Sequence, residues 1–180
     1  MEYYDYDRVD KFIESCQEIS IIHDTQEAFE LISERLDNCP DRYLNDFVSG
    51  LNYVQHEKTL DWIEKNIERI KNIPESWGHL AASSNFTWER ATYWLSLGRP
   101  LSLIALDGLM FCTSVGPRLN QSLWMRELNP RLPDQPSVKI LREVLMTYRE
   151  KDNVHRTRKI IDKIIQNAIL LDEGKNVGKG

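Results

Sequence analysis

Along most of the chain, apolar residues recur at intervals of three and four, the spacing that lines one face of a helix. Val9, Phe12, Ile13 and Cys16 are the first such set, and they predict a helix from about Asp7 to Ile19. Asp24 opens a second helix with Glu27 at the capping-box position, and Ala28, Phe29, Leu31, Ile32 and Leu36 supply its inner face. Asn38-Cys39-Pro40 ends it. From Asp41 a longer pattern runs through Tyr43, Leu44, Phe47, Val48, Leu51, Tyr53 and Val54, with Gly50 and Asn52 as candidate interruptions. The segment EKTLDWIEKNIERIKN reads as one strong helix. Leu60, Trp62, Ile63, Ile67 and Ile70 form its inner stripe, and Glu and Lys alternate on its solvated side.

The stretch from Pro74 to Cys112 holds three of the five tryptophans and the longest nearly uncharged run, so the rest of the chain is expected to pack around it. Pro74 suits the first turn of a helix, where its missing N–H costs nothing. Trp77, Leu80 and Ala81 then share one face. Thr87 is a plausible N-cap for a second helix carrying Trp88, Ala91, Tyr93, Trp94 and Leu95, closed by Gly98 as a left-handed residue. Pro100 heads a third helix in which Leu101, Leu103, Ile104, Ala105, Leu106, Leu109, Met110 and Phe111 nearly encircle the axis. A helix apolar all round is a buried one. This one is too short to cross a bilayer, which needs about 20 apolar residues.

Joined by a tight Gly-Arg-Pro turn, TWERATYWLSLG and RPLSLIALDGL resemble a HEAT-type helical hairpin. The resemblance covers residues 74–113 and implies a stacked α-helical scaffold that binds proteins or nucleic acid, with no chemistry of its own. Asp107 is the one charge inside the third helix. It reads either as the partner of an arginine such as Arg99 or Arg90, as the cap of a neighbouring turn, or as a buried acid fit for proton chemistry.

Beyond Cys112, Gly116-Pro117 marks a turn, and Leu119 to Leu128 reads as a short helix with Trp124 and Met125. Asn129-Pro130, Pro133 and Pro136 make an extended loop with Arg118, Arg126 and Arg131 in or beside it. Those arginines suit pairing with the acidic N-terminal half, or an anion contact that lacks a glycine-rich cradle. Ser137 starts a helix with Val138, Leu141, Val144, Leu145 and Tyr148 as its stripe, and Asp152-Asn153 breaks it. A last helix places Ile160, Ile161, Ile164, Ile165 and Ala168 inward. Its basic start, HRTRK, runs against the helix dipole. Either an acidic ligand or nearby Glu150 and Asp152 would answer that conflict. The expected fold is all-α, a compact bundle of about eight or nine helices over residues 1–172 in one domain, followed by a mobile tail at 173–180.

Composition adds three things. Glycine at 8 and proline at 7 are few, in keeping with long regular helices. Cys16, Cys39 and Cys112 show no CxxC spacing, and His23, His56, His79 and His155 show no HxxxH, so no metal site and no cofactor is expected. The net charge of −5 hides a split: residues 1–70 carry 17 acids against 7 bases, and residues 71–180 carry 11 against 16. Such a split speaks to partners, or to attraction between the two halves. The absence of a basic-then-apolar leader points to the cytoplasm.

No nucleophile elbow, phosphate loop or dinucleotide fingerprint marks an enzyme, although catalytic residues distant in sequence would leave no such mark. A pI near 5.4 argues against nucleic acid, despite the local cluster Arg156, Arg158 and Lys159. What stands out is an acidic tyrosine cluster: Tyr3, Tyr4, Asp5, Tyr6, Asp7, Asp10 and Glu14. Rings that stack on guanidinium and carboxylates that pair with it suit an arginine-rich protein partner. The plainer reading is the frayed acidic start of a surface helix. In general character the chain is similar to bacterial immunity proteins and antitoxins, which implies charge-steered docking on a basic nuclease-type toxin. A HEAT-like scaffold or adaptor in a regulatory complex is the alternative.

Overall fold

The computed structural model describes residues 3–69, 75–114 and 132–173. Within them the chain forms α1 (Tyr6–Ile22), α2 (Thr25–Asp37), α3 (Asp41–Phe47) and α4 (Lys58–Asn66). Then follow α5 (Glu75–Ala82), α6 (Trp88–Leu97), α7 (Leu101–Ser114), α8 (Val138–Lys151) and α9 (His155–Asp172). Short 3-10 turns occupy Val48–Tyr53 and Ile67–Arg69, and the described residues contain no strand. The protein is an all-α helical bundle, as the periodicity predicts.

Several helix starts are made by one side chain reaching forward three residues. Asp24 accepts from the Glu27 N–H at 2.9 Å, Thr87 from Arg90 at 3.0 Å and Ser137 from Ile140 at 3.3 Å. Each satisfies a backbone donor that the first helical turn leaves open. A fourth cap comes from far away. The Asp134 carboxylate accepts from the N–H groups of Trp88 at 2.6 Å and Glu89 at 3.0 Å, which fastens the start of α6 to the approach to α8.

The uncharged third helix of the central stretch, α7, packs against α5, α6 and α9 and is the axis of this part of the bundle. Ile104, Ala105, Leu106 and Leu109 are fully buried, as is Ser102 just before them. Around them lie Trp77, Leu80, Phe86, Trp94 and, from α9, Ile161 and Ile164. The expected α6–α7 hairpin is present, and α5 crosses α7 at two glycines. A Cβ on Gly78 would lie 3.1 Å from the Gly108 N, and one on Gly108 would lie 2.9 Å from the Phe86 ring. The two backbones approach this closely because neither residue has a side chain. On the N-terminal side, α1 packs on α2, α3 and the 3-10 turn 48–53, and that turn meets α5.

Some expectations need correction. α1 continues to Ile22 instead of stopping near Ile19. The pattern from Asp41 is two elements, because the chain tightens at Val48 into a 3-10 turn that sets Gly50 against Cys16; a Cβ there would stand 2.6 Å from the Cys16 sulfur. The helix beginning at Lys58 stops at Asn66. There the Asn66 amide donates to the Trp62 carbonyl at 2.9 Å, which competes with the helix ladder. Arg69 then bonds the carbonyls of Leu36 and Cys39, both at 2.9 Å, and pulls the chain away. Gly98 does close α6 at positive φ, but with φ 75° and ψ −170° it lies in a region open essentially to glycine alone, not in the left-handed helical well. Ile70, Pro74, the expected helix Leu119–Leu128, the loop arginines and the tail from residue 174 lie outside the described residues.

Candidate functional site

The N-terminal cluster divides into residues that hold the fold and residues that face outward. Asp5 caps α1, its carboxylate accepting from the Arg8 N–H at 3.1 Å, and its own N–H donates to the Tyr43 hydroxyl at 3.1 Å. Tyr4 hydrogen-bonds Asp46 and sets its ring 4.8 Å from Tyr43. Burial first, then the Asp46 carboxylate, push the Tyr4 hydroxyl well above its ordinary pKa. Arg8 and Arg42 each stack on Tyr43 at 4.8 Å. Tyr4 and Asp5 therefore tie the chain's start to α3.

Tyr3 and Tyr6 are different, being 85% and 69% exposed. Asp7, Asp10 and Glu14 are exposed too, and Glu18 continues their line. At 100° per residue these four carboxylates fall within about 80° of one another around the α1 axis, forming one stripe. Among the described residues none of the four makes an ion pair.

Some acids elsewhere have cations. Arg90 bridges Asp61 at 2.9 Å and Glu64 at 2.6 Å, and the Trp94 indole also donates to Glu64 at 2.6 Å, so α4 is tied to α6. This pair joins the acidic and basic halves of the chain. The pairs of Arg69 with Asp41, Arg99 with Asp152 and Arg149 with Asp162 each lie within one half. Attraction between the halves thus leaves the α1 stripe unspent.

The most connected polar group is Asp152, which the sequence marks as a helix breaker and as one candidate answer to the basic start of the last helix. Asp152 is 8% exposed. Its carboxylate accepts from Arg99 Nε at 2.9 Å and Nη2 at 2.7 Å, and from the Val154 N–H at 3.0 Å. The Tyr148 hydroxyl lies 3.2 Å from the carboxylate and 2.7 Å from Ser102 Oγ. An ionised carboxylate only accepts, so the phenol hydrogen goes to Asp152 and the Ser102 hydroxyl donates to the phenol. Burial alone would raise the Asp152 pKa. The Val154 N–H, the Arg99 guanidinium and the Tyr148 hydroxyl outweigh it and hold the carboxyl below its ordinary value. Arg99 Nη2 also donates to the buried Thr157 hydroxyl at 3.1 Å, and Arg158 Nε to the Asp152 carbonyl at 3.2 Å. Arg158, in the basic start of α9, is thus met by the Asp152 carbonyl and the Asn153 side chain, while the Asp152 carboxylate holds Arg99 and the Val154 N–H. Arg90 and Arg99, the arginines expected beside Asp107, hold Asp61, Glu64 and Asp152.

Two cavities flank Arg99. The larger, about 610 Å³, runs between α6 and α8. The smaller, about 210 Å³, lies between α7 and the start of α9 and includes Asp107. Burial pushes the Cys16 thiol up to about 11 and the Cys112 thiol up to about 12, and it raises Cys39 too, so the thiols are held protonated and poorly nucleophilic. Burial lowers the pKa of His79, whose Nε2 has no hydrogen-bond partner among the described residues and whose ring rests 4.7 Å from Phe111. Among the described residues no group of acids, histidines and cysteines is placed to hold a metal ion, and no helix is long and apolar enough to cross a membrane. No protein-family model, curated protein or solved structure matches the chain.

Proposed function

We propose that this chain is a non-catalytic protein-binding module that docks the acidic face of α1 on a basic surface of another protein. The observation that carries the reading is the unpaired stripe Asp7, Asp10, Glu14 and Glu18 on a rigid helix, flanked by the exposed rings of Tyr3 and Tyr6. Unpaired carboxylates of one sign on a fixed surface raise the rate of encounter with a cationic partner. Tyrosines add contact area at low conformational cost and stack on guanidinium groups. In this reading the partner is a cationic nuclease-type toxin and the chain is its cytoplasmic immunity protein or antitoxin. A helical adaptor in a regulatory complex, suggested by the α6–α7 hairpin, is the second reading. A neighbouring reading frame that encodes a toxin-like domain separates the two.

The test uses that encoded domain. Asp7, Asp10 and Glu14 are changed together to Lys, leaving the cap Asp5 intact. Association measured by stopped flow should slow at least about tenfold at low salt, and its salt dependence should flatten. Inhibition of the toxin's nuclease activity should weaken in step. An unchanged association rate would place the interface elsewhere.

A further inference from the structure

We infer that the cleft between α6 and α8 is a second site, one that takes a small molecule with an anionic oxygen group and an apolar body. It owes nothing to the acidic face of α1 and lies in the basic half of the chain. At about 610 Å³ it falls within the usual range for small-molecule sites. Leu95, Leu97 and Val144 supply apolar wall, and Ser96 and Thr147 add hydroxyls.

The charge in the cleft is what selects the ligand. Three ionisable side chains of fixed charge line it: Arg99, Lys151 and Asp152. Asp152 is buried, and its carboxylate already accepts four hydrogen bonds, two of them from Arg99. Its negative charge is therefore neutralised inside the wall. Arg99 uses Nε and Nη2 for that purpose, and among the described residues nothing accepts from Nη1. The side chain remains 42% exposed and borders the cleft with Nη1 uncommitted. Lys151 is exposed and, among the described residues, has no ion-pair partner. The free donors in the cleft are thus a guanidinium edge held in place by Asp152 and a mobile ammonium. A pre-positioned fork suits a phosphoryl or carboxylate group, because little freedom remains to be lost on binding. The apolar wall beside it accounts for the rest of the ligand.

The probe is phenyl phosphate, with 3-phenylpropionate as the carboxylate arm, inorganic phosphate as the bare anion and phenol as the neutral control. Titration into the full-length protein is followed by the methyl resonances of Leu95, Leu97 and Val144. Phenyl phosphate or 3-phenylpropionate should shift them saturably, inorganic phosphate should act more weakly, and phenol should not saturate. Lys151→Ala should weaken binding by about fivefold, the worth of one partly solvated charge pair. It should leave the unfolding midpoint in place, since Lys151 holds nothing else. Arg99→Lys keeps a positive charge facing Asp152 but removes the uncommitted Nη1, and should weaken binding further; should it fail to fold, Lys151→Ala decides. Unmoved methyl resonances with both aromatic anions, phenol binding as well as phenyl phosphate, or an unaltered affinity in Lys151→Ala would each overturn the assignment.

Discussion

Asp10 and Asp152 carry the same carboxyl group in opposite settings. Asp10 stands in water on α1 with no ion-pair partner among the described residues. Asp152 is shut between α8 and α9 and accepts four hydrogen bonds. The α1 stripe therefore holds charge that its own fold does not need, whereas the charge of Asp152 is spent on joining helices. A solvated carboxylate is free to act on a partner. A buried and satisfied one costs heavily to remove and offers a partner nothing.

Asp152→Ala should have the largest effect on stability. It leaves the Val154 N–H and part of Arg99 unanswered, and should cost about 2–4 kcal/mol. The partial exposure of Arg99 argues for the lower half of that range. Urea unfolding reads it as a drop in midpoint at unchanged slope. A loss no greater than that of Asp10→Ala would break the contrast between the two ends.

Gly108→Ala comes next. In an open helix the change would gain up to about 1 kcal/mol. Here the new methyl meets Phe86, and overpacking of about 1–3 kcal/mol should win. A net loss of stability in thermal or urea unfolding confirms the tight seat of Phe86 on α7 at Gly108, and a net gain would refute it.

The pH profile sharpens the comparison further. His79 has a lowered pKa in the folded protein, so the unfolded chain takes up its proton first. Stability should fall as pH drops below about 6.5, the unfolded histidine value. Asp152 has a lowered pKa as well, and its contribution is present above the unfolded aspartate value of about 3.9. That contribution is lost only as pH falls further, through the folded value. Two separate acid steps in unfolding midpoint are expected, and His79→Phe should remove the upper one alone. Persistence of the upper step in that variant would assign it to another group.

The smallest effect belongs to the α1 stripe. Replacing Asp7, Asp10 and Glu14 singly with Lys should move stability by no more than about 0.5 kcal/mol each. A larger loss would mean that these carboxylates serve the fold after all.

What could be read from the chain was local. Asp24, Thr87 and Ser137 bond N–H groups three residues ahead, so their role needs no knowledge of the rest of the molecule. The burial of α7 followed from its nearly unbroken apolar surface. Asp152 and Arg99 lie 53 residues apart, and Asp134 reaches the start of α6 across 46. Such pairs depend on how helices are set against one another, which periodicity does not specify. The Gly78 and Gly108 crossing was hidden for the same reason. A glycine within a helical pattern weakens the pattern locally, and only the facing helix shows what it is for. The N-terminal cluster was legible as a composition. Its division into fastening residues, Tyr4 and Asp5, and outward ones needed the position of Tyr43.

The contact between Gly50 and Cys16 gives α1 a built-in clock. The sulfur is wholly covered, and about 180° around the helix separates it from Asp7, so it reports on the seat of α1 without touching the acidic side. In a Cys39→Ser background, the alkylation rate of Cys16 would count how often α1 lifts from the 3-10 turn beneath it. A partner seated across the helix would lengthen each interval.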